Sequence, residues 1–236
     1  MKRDFLTSSV AQPGRLGISG VVFTMKICAH ISCDCRIVSG LYMYEPFLKP
    51  DEAQAAYQAI NTDFPWDLKP RLYGEPLKQH AYHYKRYKEK VAAEIRDQYA
   101  GLAHLELLCL RIEQEFDGKV DDVWCNRFQK QSHGIGWHHD TYGRHILVLS
   151  LGASRPVQFR NDQTGEVTTI EPSSGDLYLF PLRVNDTHLH RVCSGTGTRL
   201  SLVFYFKPPK YAKEWKITRM DKFKGKMSAI IERLGP

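Results

Sequence analysis

After Gly118 the chain breaks into short apolar runs, at 123–130, 145–152, 156–160, 166–171, 176–180, 188–192 and 198–206, with "NDQTG", "PSSG" and "SGTG" among the joints. Runs this short are strand-sized, and Gly, Ser, Asn, Asp and Pro between them mark tight turns, so the segment predicts an antiparallel sandwich or jelly roll. The last run shows the pattern most plainly. Leu200, Leu202, Phe204 and Phe206 share one face, and Arg199, Ser201, Val203 and Tyr205 share the other, as a two-residue period requires.

The first half has a different texture. In "EPFLKPDEAQAAYQAI" a helix is predicted to start near Pro50: proline suits the first helical position, Asp51 and Glu52 suit the positive dipole end, and Ala53, Ala56, Tyr57 and Ile60 form one apolar face. "VAAEIRDQYAGLAHLELLCLRIEQEF" carries helical spacing interrupted near Gly101, as one broken helix or two short ones. Between them, "WDLKPRLYGEPLKQHAYHYKRYKEK" reads as loops and short strands. The expected class is mainly β (α+β), with N-terminal helices flanking one face of the barrel. At 236 residues one domain is the natural division: a flexible extension over 1–40, a domain over 41–207 with its jelly-roll core at about 119–207, and a basic, helical tail over 208–236.

Composition removes several alternatives. The longest apolar run, 146–151, is too short to cross a bilayer. Six cysteines in a chain that opens without a secretory signal do not make a disulfide scaffold, and Cys28, His30, Cys33 and Cys35 match no zinc-finger spacing. These features fit an intracellular protein, nuclear or cytoplasmic. The basic, acid-poor first twenty residues suit either a floppy extension or a mitochondrial transit segment. A net charge of +7, much of it after residue 206, favours polyanionic partners.

His138 and Asp140, in "GWHHDTYGRHILVLSLG", are two apart, so in extended backbone both side chains leave the same side. "NDTHLHRV" offers a third ligand, His188 or His190, which spacing alone leaves open. Two imidazoles and one carboxylate leave coordination positions free, the arrangement of non-haem Fe(II) oxygenases. Arg199 heads an otherwise apolar strand. A buried guanidinium needs a partner, either a carboxylate of the protein or a dicarboxylate ligand held bidentately.

Taken in order, "NRFQKQSHGIGWHHD", "ILVLSLGASRPVQFR", "GDLYLFPLRVNDTHLHRV" and "TRLSLVFYF" resemble the AlkB-like branch of the Fe(II)- and 2-oxoglutarate-dependent dioxygenases, from about Tyr44 to Phe206. The resemblance implies a double-stranded β-helix, iron held by His138, Asp140 and His190, Arg199 on the distal carboxylate of 2-oxoglutarate, and Asn126 and Tyr205 beside the cosubstrate. It departs from the family's Arg-x-Asn-x-Thr-x-Arg ending, since the positions here are Arg199, Ser201, Val203 and Tyr205, and Phe128 stands where a tyrosine is common. The implied chemistry uses O2 and 2-oxoglutarate to hydroxylate a substrate C–H bond, releasing succinate, and formaldehyde where the carbon is an N-methyl group.

The implied partner is alkylated DNA or RNA, bound by a monomer without a membrane. The base would be single-stranded or flipped and held between aromatic faces. Tyr73, Tyr82, Tyr84 and Tyr87, interleaved with Lys78, Arg86 and Lys88, are candidates for that lid or simply for its packing. Arg160 sits at a hairpin where it would touch phosphate or only solvent. The alternatives are the same oxygenase chemistry on a protein side chain or small molecule, and a non-catalytic barrel that only binds.

Overall fold

A computed structural model describes residues 35–38, 40–72, 74–88, 94–207, 215–220 and 229–234. The chain runs through β1 (Cys35–Val38), β2 (Leu41–Tyr44), α1 (Pro50–Thr62), β3 (Arg71–Leu72), β4 (Glu75–Pro76), β5 (His80–Tyr84), α2 (Ala100–Glu115) and β6 (Lys119–Phe128). It continues with β7 (Ile135–His138), β8 (His145–Gly152), β9 (Val157–Asn161), β10 (Val167–Ile170), β11 (Leu177–Phe180), α3 (Leu182–Thr187), β12 (His188–Val192) and β13 (Arg199–Lys207). A seven-stranded sheet, β1-β2-β11-β8-β13-β6-β5, faces a four-stranded one, β10-β9-β12-β7. The ladders of both are antiparallel, which makes the fold a jelly-roll-like β-sandwich.

Two apolar layers follow from strand alternation. Leu147, Leu149 and Leu151 of β8 join Ala53, Ala56 and Ile60 of α1 and Leu102, Leu105 and Ile112 of α2 in a core on the helical side. Ile146 and Val148 point the other way, to meet Val157, Phe159 and Val192 of the small sheet. Strand β8 is buried on both faces, which is why it reads as an almost unbroken apolar run.

Every strand expected after Gly118 is present. Within 119–207 one more, β7, carries "IGWH"; its mixed polarity and glycine gave no alternation to detect. The interruption expected near Gly101 is present, since residues 94–96 are helical, 97–99 leave the helix and α2 starts at Ala100; Gly101 itself is a contact point in the first turn of α2. Its N–H donates to the Asp63 carbonyl at 2.9 Å, and a Cβ there would lie 2.5 Å from that oxygen, so only glycine lets the two helices approach this closely.

Two expected boundaries change. Residues 35–38, assigned to the flexible extension, form β1 and pair with β2; residues 1–34, with Cys28, His30 and Cys33, lie outside the described residues. The tail was expected to be helical, yet its described parts are paired antiparallel strands, β14 (Trp215–Met220) and β15 (Ala229–Leu234). Trp215, Ile217, Thr218, Ile230 and Ile231 favour extended backbone, and that preference prevails over helical spacing.

Arg155 holds the loops at one end of the sandwich. It is 0% exposed, donates from Nη1 to the His133 carbonyl at 2.8 Å, and from Nη2 to the carbonyls of Gly197 at 2.9 Å and Lys130 at 3.2 Å. Stranding such acceptors costs about 1–3 kcal/mol each. Arg155→Met should therefore lower unfolding stability by roughly 3 kcal/mol or more, read from the urea midpoint at unchanged slope.

Candidate metal centre

Strand pairing assembles the centre. His138 ends β7, and the antiparallel register sets it opposite His190 of β12, with ring centroids 4.1 Å apart. Asp140 follows two residues later and brings Oδ2 to 3.6 Å from His190 Nε2. One ligand atom from each of His138, Asp140 and His190 lies within 4.8 Å of the others.

Each ligand is held by a neighbour. His138 Nδ1 is 2.8 Å from the Gly136 carbonyl; an N–H there leaves Nε2 with the lone pair that a metal takes. His190 is buried, with Phe159 at 5.8 Å and Phe180 at 5.1 Å between ring centroids. Burial, then the charges of His138 and His139, push its pKa well below the ordinary histidine value, which keeps it in the neutral form that coordinates. Burial raises the Asp140 carboxyl pKa against the opposing pull of His138, His139 and a hydrogen bond from Tyr205.

Asn185, in α3, clamps the backbone of Asp140 from both sides. Its Oδ1 accepts from Asp140 N–H at 2.9 Å and its Nδ2 donates to the Asp140 carbonyl at 2.8 Å. No spacing rule flagged this residue, because its partner is 45 positions away. Asn185→Ala should weaken Fe(II) or Co(II) binding by about 10–100-fold, the usual effect of losing a residue that supports a ligand, as measured by metal titration of the purified protein.

Of the two histidines that spacing left open, the structure brings His190 to His138 and Asp140. His188 turns to Asn161 Nδ2 at 3.3 Å and Thr187 Oγ1 at 2.8 Å; His190 faces the pair. His139 lies between Asn185 and Asp162, with Nε2 3.2 Å from Asp162 Oδ2, outside the His138–Asp140–His190 cluster.

Arg199 heads the inner face of β13. It is 0% exposed. Its Nε donates to Ser150 Oγ at 3.0 Å and its guanidinium lies 5.8 Å from the Phe128 ring centre. The Tyr178 hydroxyl lies alongside it, but among the described residues Nη1 and Nη2 have no partner in full hydrogen-bond geometry. Burial lowers the pKa of Arg199, and Tyr178 opposes that shift. On the neighbouring strand, Asn126 Oδ1 accepts from Gln79 Nε2 at 3.2 Å and Trp124 Nε1 at 3.1 Å. With the oxygen so occupied, the amide group is fixed with its N–H2 as the donating end.

Other expected site residues lie elsewhere. Tyr205, expected beside the cosubstrate, stacks on Tyr142 with centroids 4.0 Å apart and donates its hydroxyl to Asp140. It sits six residues along β13 from Arg199, on the order of 20 Å. Tyr82 and Tyr84 belong to the helical side, not to a lid: Tyr82 packs edge-on against Phe64 at 5.3 Å, and the buried Tyr84 donates to Glu106 at 2.9 Å. Their strand register with Cys125 and Val123 sends them that way. Arg86 is spent on Glu106 and Glu113 at 2.7 and 2.8 Å. Arg160 lies over the Trp137 ring at 4.7 Å, with Arg191 at 4.5 Å from the same ring. Tyr73 lies outside the described residues.

No protein-family model matches this chain, and no curated protein does. Among solved structures, one titled "The structure of OsALKBH1" superposes with a TM-score of 0.48 at 13% identity, covering 73% of this chain and 99% of the other.

Proposed function

We propose that this protein is an Fe(II)- and 2-oxoglutarate-dependent oxygenase of the AlkB-like kind. One observation carries the proposal: a His-Asp-His cluster of metal-ligand geometry shares the inside of the sandwich with a fully buried arginine whose two terminal nitrogens, beside the Tyr178 hydroxyl, meet no carboxylate among the described residues. The donor set fits Fe(II) in a site with open positions. A guanidinium fork without a protein carboxylate fits a ligand that brings its own, and it speaks against a barrel that has lost its chemistry.

Bound iron would supply O2 activation, oxidising a substrate C–H bond while 2-oxoglutarate is decarboxylated to succinate. His138, Asp140 and His190 would hold the metal. Arg199 would grip the distal carboxylate, with Ser150 and Tyr178 steering its fork, and Asn126 would donate to the cosubstrate. Tyr205 and Asn185 orient Asp140, and Phe159 and Phe180 exclude water beside His190.

The net charge of +7 supports a nucleic-acid substrate, with an N-alkyl group removed from a base. A second substrate reading, a small molecule or protein side chain, is favoured by the acidic cleft described below. Anaerobic addition of 2-oxoglutarate to the Fe(II) protein should develop a visible charge-transfer band, and turnover with methylated oligonucleotides should yield succinate and formaldehyde together. Absence of the band overturns the oxygenase. Succinate without formaldehyde removes nucleic-acid demethylation and leaves the oxygenase standing.

A further inference from the structure

At the far end of β13 from Arg199 a cleft of about 320 Å³ opens, lined by Tyr87, Asp121, Asp122, Tyr142, Arg144 and Tyr205. It borders the metal centre, because Tyr205 stacks on Tyr142 and donates to Asp140. The charges in its lining are unequal in what they have left to offer. Asp121 is matched by Arg144 at 3.0 Å. Asp122 is not.

Asp122 is 6% exposed, its Oδ1 has no hydrogen-bond partner among the described residues, and its Oδ2 lies 3.3 Å from His83 Nε2. The strand register places it opposite Tyr205, at the end of the inward row Asp122, Trp124, Asn126 and Phe128. A carboxylate withdrawn from water with an oxygen unmatched is costly. An apolar residue would serve the sandwich better at this position, so the carboxylate needs another explanation.

We propose that this cleft is a substrate subsite in which Asp122 receives a cationic nitrogen, the ammonium or guanidinium of a small molecule or of a basic peptide side chain, between the rings of Tyr87 and Tyr142. A carboxylate pairs with such donors at its strongest, and aromatic faces attract cations. A phosphate backbone is poorly served, because among the described residues the lining's one arginine is already held by Asp121. The assignment rests on the oxygenase proposal for its chemistry, and the cleft's charge and shape can be tested without iron.

The test is NMR titration of the full-length, metal-free chain labelled with 13C-tyrosine. The probes are methylguanidinium, methylammonium, the neutral N-methylurea, an Arg/Lys tetrapeptide and a single-stranded oligonucleotide. Methylguanidinium or methylammonium should shift Tyr142 and Tyr205 and bind at least about tenfold tighter than N-methylurea, the factor one charge-assisted hydrogen bond carries. Asp122→Asn should remove that preference at an unchanged melting temperature. Should that variant not fold, Tyr142→Leu should weaken the cations and spare the urea. Tighter binding of the tetrapeptide than of the free cations assigns a peptide source, and the reverse assigns a small molecule.

Equal binding of cation and urea, an unchanged preference in Asp122→Asn, or an oligonucleotide that shifts these tyrosines where the cations do not would each overturn the proposal. Loss of the oxygenase proposal would appear separately, as a missing charge-transfer band in the iron-loaded protein.

Discussion

Arg199→Met is expected to melt at a higher temperature than the parent protein without ligands, and to bind 2-oxoglutarate about 10²–10⁴-fold more weakly. The affinity loss follows from two hydrogen bonds to a charged group at about 1.5–3 kcal/mol each, with about 1.4 kcal/mol to a tenfold change. The gain in stability has a separate cause. Nη1 and Nη2 are buried with no carboxylate beside them among the described residues, so a methionine of similar length removes a charge that the fold must otherwise hold out of water. The opposed signs distinguish a ligand-binding arginine from a structural one. Thermal melts and 2-oxoglutarate titrations of the two proteins would show it, and a lower melting temperature with 2-oxoglutarate binding intact would make Arg199 a packing residue. Arg155 is the internal contrast, since it is equally buried but its Nη1 and Nη2 are spent on backbone carbonyls.

Asp140→Ala should lower Fe(II) affinity by at least about 10³-fold, more than the 10–100-fold expected for a residue that only supports a ligand, and 2-oxoglutarate turnover should fall with it. The fold should survive. The clamp from Asn185 acts on the backbone of residue 140, and the side chain lost is a buried carboxylate whose pKa burial has raised. His188→Ala is the matched control: its partners are Asn161 and Thr187, and metal affinity should stay within about twofold. Metal titration of the two variants side by side checks both statements. A His188 variant that loses metal as completely as the Asp140 variant would overturn the ligand assignment.

Much of the candidate centre was legible because its parts are local. His138 and Asp140 are two apart in extended backbone, and Arg199 and Tyr205 share a face of one strand, so periodicity alone groups them. Tyr82 and Tyr84 show where such reasoning stops. Their spacing says that they share a face, but only pairing with Cys125 and Val123 decides that it is the helical one. A shift of one residue would have sent both rings into the sandwich. His83, between them, is the residue that reaches Asp122 and the cleft.

The sequence by itself determined the positions of seven strands after Gly118, the helix from Pro50 and the interrupted helical stretch after it, the candidate metal-ligating residue types and the arginine on an apolar strand, since each is written within a few residues by period, turn chemistry or charge. Tertiary structure decided His190 over His188, the Asn185 clamp, the tyrosine faces, the unmatched nitrogens of Arg199 and the cleft at Asp122. These depend on strands that are far apart in the chain and become neighbours only when the ladders pair, and no local pattern encodes that register.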